Sequence, residues 1–278
     1  MTPSPQTVLN FESRSASRSI FELQQQPSLT LLAIGLIGLG VLGACVGDFA
    51  MVWQPVAPWF PARTALVYVA GALMVGCGAG LLFTATCTWA VRILLPYLVV
   101  WQLLKLPSIF VAPKIEAVYL GFGELAVLLA GGWTLFALLG DVRVPWLAWA
   151  TGDRGVRFAR YYFAVWIIPI GLSHLIYTKP TMELVPAWLP YRIGWAYLTG
   201  AGQIASGLGL LFGILPRIAA SAEAAQITLY TLLIWLPAIF VTPHARLPWT
   251  AFWISWVIGA AAWVVAQNTP SKYAAAEK

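Results

Sequence analysis

Six long stretches without a charged side chain dominate this sequence of 278 residues. They cover residues 29–47, 64–91, 161–178, 193–216, 224–245 and 247–271. Each stretch reaches the length of about 18–20 apolar residues that a helix needs to cross a bilayer. Only 9% of the residues are charged, against about 25% in a typical soluble domain. The sequence therefore predicts an all-α integral membrane protein and excludes a soluble fold or a disordered chain.

The charges and cysteines exclude two further classes of protein. The net charge of +6 is spread thinly, whereas a nucleic-acid-binding protein clusters Lys and Arg on one face. We therefore expect membrane lipid, and no nucleic acid, as a partner. Cys45, Cys77 and Cys87 fall in apolar segments without metal-ligand spacing, which predicts no metal site. The segment 42–45 is similar to a lipoprotein cleavage box, but a polar leader precedes it; lipidation of Cys45 stays open and is not favoured.

Hydrophobic periodicity and breaker residues predict eight transmembrane helices. We place them at residues 29–53, 64–84, 88–112, 115–139, 158–177, 192–213, 217–241 and 247–267. The polar residues 1–27 are rich in Ser, Gln and Pro, which predicts a disordered cytoplasmic tail. Residues 268–278 form a short C-terminal tail.

Two segments in the first half of the sequence also match two segments in the second half. Residues 59–83 and 188–212 share eleven identities at a separation of 129 positions. The segments 106–113 and 236–243 share six of eight residues at a separation of 130. Paired Trp, Pro, Arg and Tyr in one register are not a product of apolar composition, so the match indicates an internal repeat.

The repeat defines the domain organisation. It predicts two four-helix bundles, residues 28–140 and 158–267, joined by a cytoplasmic linker at 141–157. Because each bundle crosses the membrane an even number of times, both insert the same way up as a parallel repeat. Ten Lys or Arg fall on the side of the termini and six on the other. The positive-inside rule then puts both termini in the cytoplasm of a bacterial cell, in its inner membrane.

Two local patterns predict contacts within the bundles. Small residues spaced four apart favour close helix approach in lipid, and they occur at Gly43/Gly47, Gly76/Gly80 and Gly209/Gly213. A Trp-x-Pro-x-Arg pattern places Arg63 and Arg192 at equivalent starts of the second helix of each unit, on the outer side. A cation at a helix N-terminus needs an anionic partner, and Glu183 is a candidate for Arg192.

Polar residues inside the predicted spans are the candidates for function, because a central charge costs about 2.5–3.5 kcal/mol on insertion scales. Glu124 lies about nine residues into the fourth helix, near the bilayer centre. His174 and Gln203 lie in the second unit, and Asp48 closes the first helix. At the repeat separation the mates of His174, Gln203 and Glu124 are Cys45, Met74 and Ile254, so we expect a single asymmetric site in the second unit.

Several motifs of the second unit resemble those of the DoxX-like family of membrane proteins. They include Gly171-Leu172-Ser173-His174, Val185-Pro186-Ala187-Trp188-Leu189-Pro190, Trp195-Ala196-Tyr197-Leu198-Thr199-Gly200, Ala205-Ser206-Gly207-Leu208-Gly209-Leu210-Leu211, Arg217-Ile218-Ala219 and Leu233-Ile234-Trp235-Leu236-Pro237. The resemblance covers about 158–267 directly and 29–139 through the repeat. It implies a four-helix unit like the one named for a subunit of a thiosulfate:quinone oxidoreductase. That family often has His or Glu where this chain has Gln203.

Two functional hypotheses follow. The first is a membrane subunit of a redox system that exchanges electrons or protons with quinone and depends on a redox partner subunit, because the sequence holds no intrinsic cofactor site. The second is a non-enzymatic permease for a small molecule or lipid, or a scaffold subunit. The candidate ligand or proton site comprises His174, Arg192, Gln203, Asp48, Glu124 and Glu183.

Overall fold

The structure is a computed structural model that describes residues 22–23, 25–142 and 144–270. The α-helices of this described part are α1 Pro27–Val46, α2 Arg63–Leu81, α3 Thr84–Val111, α4 Glu116–Leu139, α5 Gly152–Ile176, α6 Thr178–Leu184, α7 Arg192–Leu211, α8 Pro216–Tyr230, α9 Leu236–Val241 and α10 Arg246–Gln267. A 3-10 turn, Pro145–Leu147, precedes α5, and a π-helical segment, Thr231–Trp235, joins α8 to α9. The predicted tails at 1–27 and 268–278 lie mostly outside the described residues.

Seven helical segments in the described chain are long and apolar enough to cross a membrane. They are α1, α2, α3, α4, α5, the continuous segment from α8 to α9, and α10. The eighth predicted span, α7, has 20 residues but does not reach the same hydropathy. Its mean hydropathy is lowered by Thr199, Gln203 and five glycines. The described chain is thus an all-α protein with the helices of a multi-pass membrane protein.

Two predicted boundaries are wrong for identifiable reasons. The first helix ends at Val46 and not at residue 53, because Gly47 adopts a left-handed conformation with φ 68°. The N–H groups of Gly47 and Asp48 then both bond to the carbonyl of Gly43, which caps the helix. The linker predicted at 141–157 is shorter, because α5 begins at Gly152. The short helix α6 was not predicted.

The helices of the first half, residues 27–139, pack in the same order as those of the second half, residues 152–267. In the first half α1 packs on α2, α2 on α3 and α3 on α4. In the second half α5 packs on α7, α7 on α8 and α8 on α10. Between the halves, α4 packs on α5 and α10 on α1, and α4 and α10 pack on each other.

The central helices of the two halves touch through their smallest residues. A Cβ atom added to Gly131 on α4 would lie 2.6 Å from the Cβ of Ala261 on α10. These residues are 130 positions apart, which is the separation predicted for the later part of the repeat. Because a larger side chain at either position would separate the helices, small residues here set the distance between the halves.

Within each half the first two helices make one matching close approach. A Cβ added to Gly40 would lie 2.6 Å from the carbonyl oxygen of Gly71, and a Cβ added to Gly171 would lie 2.7 Å from that of Gly200. The glycine spacings read from the sequence mostly missed these contacts. Gly76, for example, has no other residue within 4 Å of an added Cβ.

These glycine contacts match the first helices of the two halves, α1 and α5, at a different separation from the one predicted. Gly40 and Gly171 are 131 positions apart, while Gly71 and Gly200 are 129 apart. Two turns away, the same relation holds for Ala33, whose carbonyl abuts Gly78, and for Ala164, whose carbonyl abuts Gly207. At a separation of 131, His174 corresponds to Gly43 and not to the predicted Cys45.

The π-helical segment lies where the separation between matching contacts of the two halves changes from 129 to 130 positions. Before it, Tyr97 donates to the carbonyl of Ala70, and Gln226, 129 positions later, donates to that of Thr199. After it, Tyr119 donates to the carbonyl of Pro113, and Trp249 donates to that of Pro243, both 130 positions later. A π-bulge inserts one residue into an α-helix. The extra residue therefore lies within Thr231–Trp235.

Candidate functional site

One end of the helix bundle carries the segments 47–62, 112–115, 177–191 and 242–245, and we call it the Asp48 end. Asp48 accepts hydrogen bonds from Arg63 at the start of α2 and, at 2.7 Å, from Arg246 at the start of α10. Arg246 also donates to the carbonyl of Phe49. Asp48 thus joins the first half to the last helix of the second half.

The environment of Asp48 favours its charged form. Burial acts to raise the pKa of its carboxyl group, but hydrogen bonds from Arg246, Arg63 and the Phe49 N–H together outweigh that effect. The pKa of Asp48 therefore lies below its ordinary value. Asp48 holds the structure together at this end and does not contact His174.

Arg192 occupies the position in the second half that Arg63 occupies in the first. Each arginine is the first residue of its helix, as predicted from the shared pattern. Each also follows a residue with positive φ, which the pattern did not predict. Arg192 donates to the main-chain carbonyls of Val185 at 2.9 Å and Glu183 at 2.8 Å. Its partner is therefore the carbonyl of Glu183, and the predicted pairing with the Glu183 carboxylate is wrong.

Glu124 belongs to a cluster in the first half. Its Oε2 accepts a hydrogen bond of 3.3 Å from the indole N–H of Trp53. The neighbouring residue, Val52, accepts a hydrogen bond from Lys105 on α3. Lys105 lies against Gly121, where an added Cβ would be 3.0 Å from its Nζ. Trp53, in the segment 47–62, thus reaches inward to Glu124 of the same half.

His174 lies half-buried near the end of α5 and bonds to α7. Its Nδ1 lies 2.9 Å from the hydroxyl oxygen of Thr199. The Thr199 hydroxyl can donate its one proton to the carbonyl of Trp195 at 2.8 Å. When this proton goes to the carbonyl of Trp195, Thr199 accepts from Nδ1 of His174, and Nε2 is then a hydrogen-bond acceptor. In the other tautomer Thr199 donates to Nδ1, and Nε2 carries the proton.

Tyr230 and Gln226 on α8 complete the surroundings of His174. The rings of His174 and Tyr230 have centroids 5.7 Å apart. Gln226 donates to the carbonyl of Thr199 at 3.0 Å and to the hydroxyl oxygen of Tyr230 at 2.7 Å. Tyr230 also lies within hydrogen-bonding reach of the Thr199 side chain. The cluster thus gathers one imidazole ring and two hydroxyl groups, each of which can donate or accept a hydrogen bond.

Gln203 lies one turn deeper on α7 and pairs with Glu223 on α8. Its side-chain N–H donates to Oε1 of Glu223 at 3.1 Å. Both residues are only 1% exposed. Oε1 of Gln203 and Oε2 of Glu223 have no partner in the described part of the chain. The pair extends the polar groups of the second half into its core.

The structure brings together two of the six predicted site residues. His174 and Gln203 flank the close approach of Gly171 and Gly200: His174 lies beside Gly200, and Gln203 lies beside Gly171. Three others lie at the Asp48 end: Asp48, Glu183 and Arg192. Glu124 contacts Trp53 in the loop of its own half. The helix of Glu124 does pack on α5, but through Gly123.

Sequence reasoning missed four residues of these clusters: Lys105, Glu223, Gln226 and Tyr230. Comparison of the two halves carried a usable signal for the deepest pair. Gln203 and Glu223 correspond at a separation of 129 to Met74 and Leu94, so both members of a contacting pair change from apolar to polar together.

Other features of the described chain offer few ligands. No group of three His, Cys, Asp or Glu residues in that part could hold a metal ion. Cys77 and Cys87 are buried, and Cys45 is exposed. An apolar groove beside the π-helical segment is lined by residues of α1, α8 and α10. Comparison with protein-family models, curated proteins and solved structures gives no match.

Proposed function

We propose that this protein is a quinone-linked membrane subunit of a redox system. The observation that carries the proposal is the cluster of the His174 imidazole with the hydroxyl groups of Thr199 and Tyr230, partly buried between the helices of a membrane protein. A quinone carbonyl accepts a hydrogen bond and a quinol hydroxyl donates one. The cluster offers a partner for each, and a neutral imidazole can take up a proton from the quinol.

The membrane architecture is part of the proposal. Eight crossings in two parallel-repeat bundles are supported by the matching helix order, by the matched glycine approaches and by the contact of Gly131 with Ala261. The excess of Lys and Arg on one side supports cytoplasmic termini and a bacterial inner membrane. The resemblance to DoxX-like proteins stays a prediction from the motifs of the second half.

The source of electrons is a partner subunit in this proposal. The cluster around His174 contains groups that bind and move protons, and quinone serves as the exchangeable redox molecule rather than as a resident cofactor. The rival hypothesis, a permease, requires a path for a substrate through the protein. The halves touch at Gly131 and Ala261, where α4 packs closely on α10, and this contact favours the redox subunit; a scaffold is the second candidate.

Binding of a short-chain quinone analogue to the purified protein in lipid nanodiscs tests the proposal. We expect His174→Ala and Tyr230→Phe each to weaken binding about tenfold, the effect of losing one hydrogen bond of about 1.4 kcal/mol. Tyr97→Phe is the matched control, because Tyr97 occupies in the first half the position of Gln226 and also bonds to a main-chain carbonyl. Its binding should not change.

Two results contradict the proposal. One is the absence of quinone binding to the wild-type protein. The other is binding that His174→Ala and Tyr230→Phe leave unchanged while thermal stability also stays constant. Purification from the native membrane addresses the partner: a flavin- or haem-bearing subunit in fixed stoichiometry supports the redox system. A protein that carries only lipid supports the scaffold.

A further inference from the structure

The Gln203–Glu223 pair holds two unsatisfied oxygen atoms in the core of the second half. One hydrogen bond joins the residues, from Nε2 of Gln203 to Oε1 of Glu223 at 3.1 Å. The remaining polar atom on each side, Oε1 of Gln203 and Oε2 of Glu223, is buried without a partner in the described chain. Buried polar atoms are nearly always hydrogen-bonded. These two oxygen atoms can bond to each other only if one of them carries a proton.

A single proton on Glu223 satisfies both atoms. An amide and a neutral carboxylic acid are complementary: the amide N–H donates to the acid carbonyl, and the acid O–H donates to the amide carbonyl. Gln203 already makes the first of these bonds. A proton on Oε2 of Glu223 would make the second, to Oε1 of Gln203, and close a ring of two hydrogen bonds.

The surroundings of Glu223 provide no cation that would stabilise its charged form. None of the ion pairs among the described residues includes Glu223. The titratable group that acts on it is Tyr230 on its own helix. The basic residues of α7 and of its own helix, Arg192 and Arg217, lie in the first turns of those helices. The packed face of α10 offers none beyond Arg246, which binds Asp48 at the helix start. A buried carboxylate without a cation is far less favourable than the neutral acid.

We infer that Glu223 is a proton-binding site within the membrane, held as a neutral acid in a closed pair with Gln203. The bound species is a proton, and the ligand atom is Oε2 of Glu223. The pair belongs to the second half alone, because its counterparts, Met74 and Leu94, are apolar. The inference concerns the pair itself and does not rest on quinone binding.

Infrared spectroscopy of the protein in lipid at neutral pH tests the inference. A protonated carboxyl group has a carbonyl stretching band that a carboxylate lacks and that shifts in D₂O. We expect Glu223→Gln to remove such a band and the control Glu124→Gln to retain it. The exchanged pair, Gln203→Glu with Glu223→Gln, should restore the band, because acid and amide have only changed places.

Thermal stability gives a second and independent reading. Glu223→Gln should keep the melting temperature of the wild type, since two amides form the same closed pair without a charge. Glu223→Leu should lower it, because both polar atoms of Gln203 then lose their partner. The exchanged pair should match the wild type.

The inference is overturned if the wild-type protein lacks the band and Glu223→Gln instead removes a carboxylate band. In that case Glu223 is ionised, and a water molecule bonds to both its Oε2 atom and Oε1 of Gln203. If Glu223→Gln fails to fold, the exchanged pair decides: a band that persists in it supports the inference, and a band missing from both it and the wild type refutes it.

Discussion

The two halves of the molecule share their packing contacts and differ in their polar contacts. Glycine pairs hold the first two helices of each half at the same distance, and an arginine begins the second helix of each. The polar clusters have no such correspondence. The first half places Lys105 and Glu124 around the inward-folded segment 47–62, whereas the second half buries an acid–amide pair between α7 and α8.

This difference distinguishes two kinds of residue: those that pack the helices in both halves, and those that make polar contacts in one half only. Close backbone approach supplies the association energy of helices in lipid, so both halves must retain the small residues. A polar side chain inside the membrane is costly, so it occurs where it has a bonding partner or a function. Comparison of the halves therefore isolates the second kind of residue without any knowledge of the function.

The largest effect is expected where the halves agree. Gly71→Ala and Gly200→Ala each place a methyl group within 3 Å of a main-chain oxygen, and we expect each to reduce the free energy of unfolding by about 1–3 kcal/mol. Unfolding in detergent measures the effect. Gly76→Ala is the control, because its added Cβ meets no other residue within 4 Å. Equal stability of all three variants would refute the matched approach.

An intermediate effect is expected from moving the polar pair into the first half. Met74→Gln alone buries an amide without a partner and should destabilise the protein by about 1–3 kcal/mol. Adding Leu94→Glu should recover much of the loss, because the two positions correspond to Gln203 and Glu223. Chemical denaturation of the single and double variants measures the coupling. A double variant that is merely the sum of two losses would show that the halves differ in backbone as well as in side chains.

The smallest effect concerns the Asp48 end. Because the folded protein lowers the pKa of Asp48, this carboxylate stabilises the fold above its unfolded pKa, and the contribution is lost as the pH falls through the lower folded value. Asp48→Asn should therefore reduce stability at neutral pH and flatten its decline in acid. Arg192 binds main-chain carbonyls, which do not titrate, so Arg192→Gln should leave the shape of the acid profile unchanged.

The sequence was sufficient to predict the helical membrane class, the positions of most helices and the equivalence of Arg63 and Arg192. These features depend on local composition and on periodicity over about twenty residues. The end of α1 was missed because the apolar pattern continues past Gly47, and only the backbone conformation of that glycine ends the helix.

The candidate site was predictable only in part. His174 and Gln203 stand out as polar residues in apolar helices, and they do lie together. Their partners on α8 could not be assigned, because contact between helices depends on which face each helix turns to its neighbour. The sequence predicts Glu124 near the bilayer centre, but the inward fold of a loop, which brings Trp53 to it, has no signature in periodicity.

The π-helical segment makes one position of the protein unusually tolerant of a lost residue. Deleting a residue from a membrane helix normally rotates everything beyond it by about 100° and moves it by about 1.5 Å, which exposes the wrong face. Within Thr231–Trp235 the same deletion would instead restore the uninterrupted helix that α3 forms in the first half. Length variation among natural versions of this chain should therefore concentrate in these five residues, where it leaves the register of α10 intact.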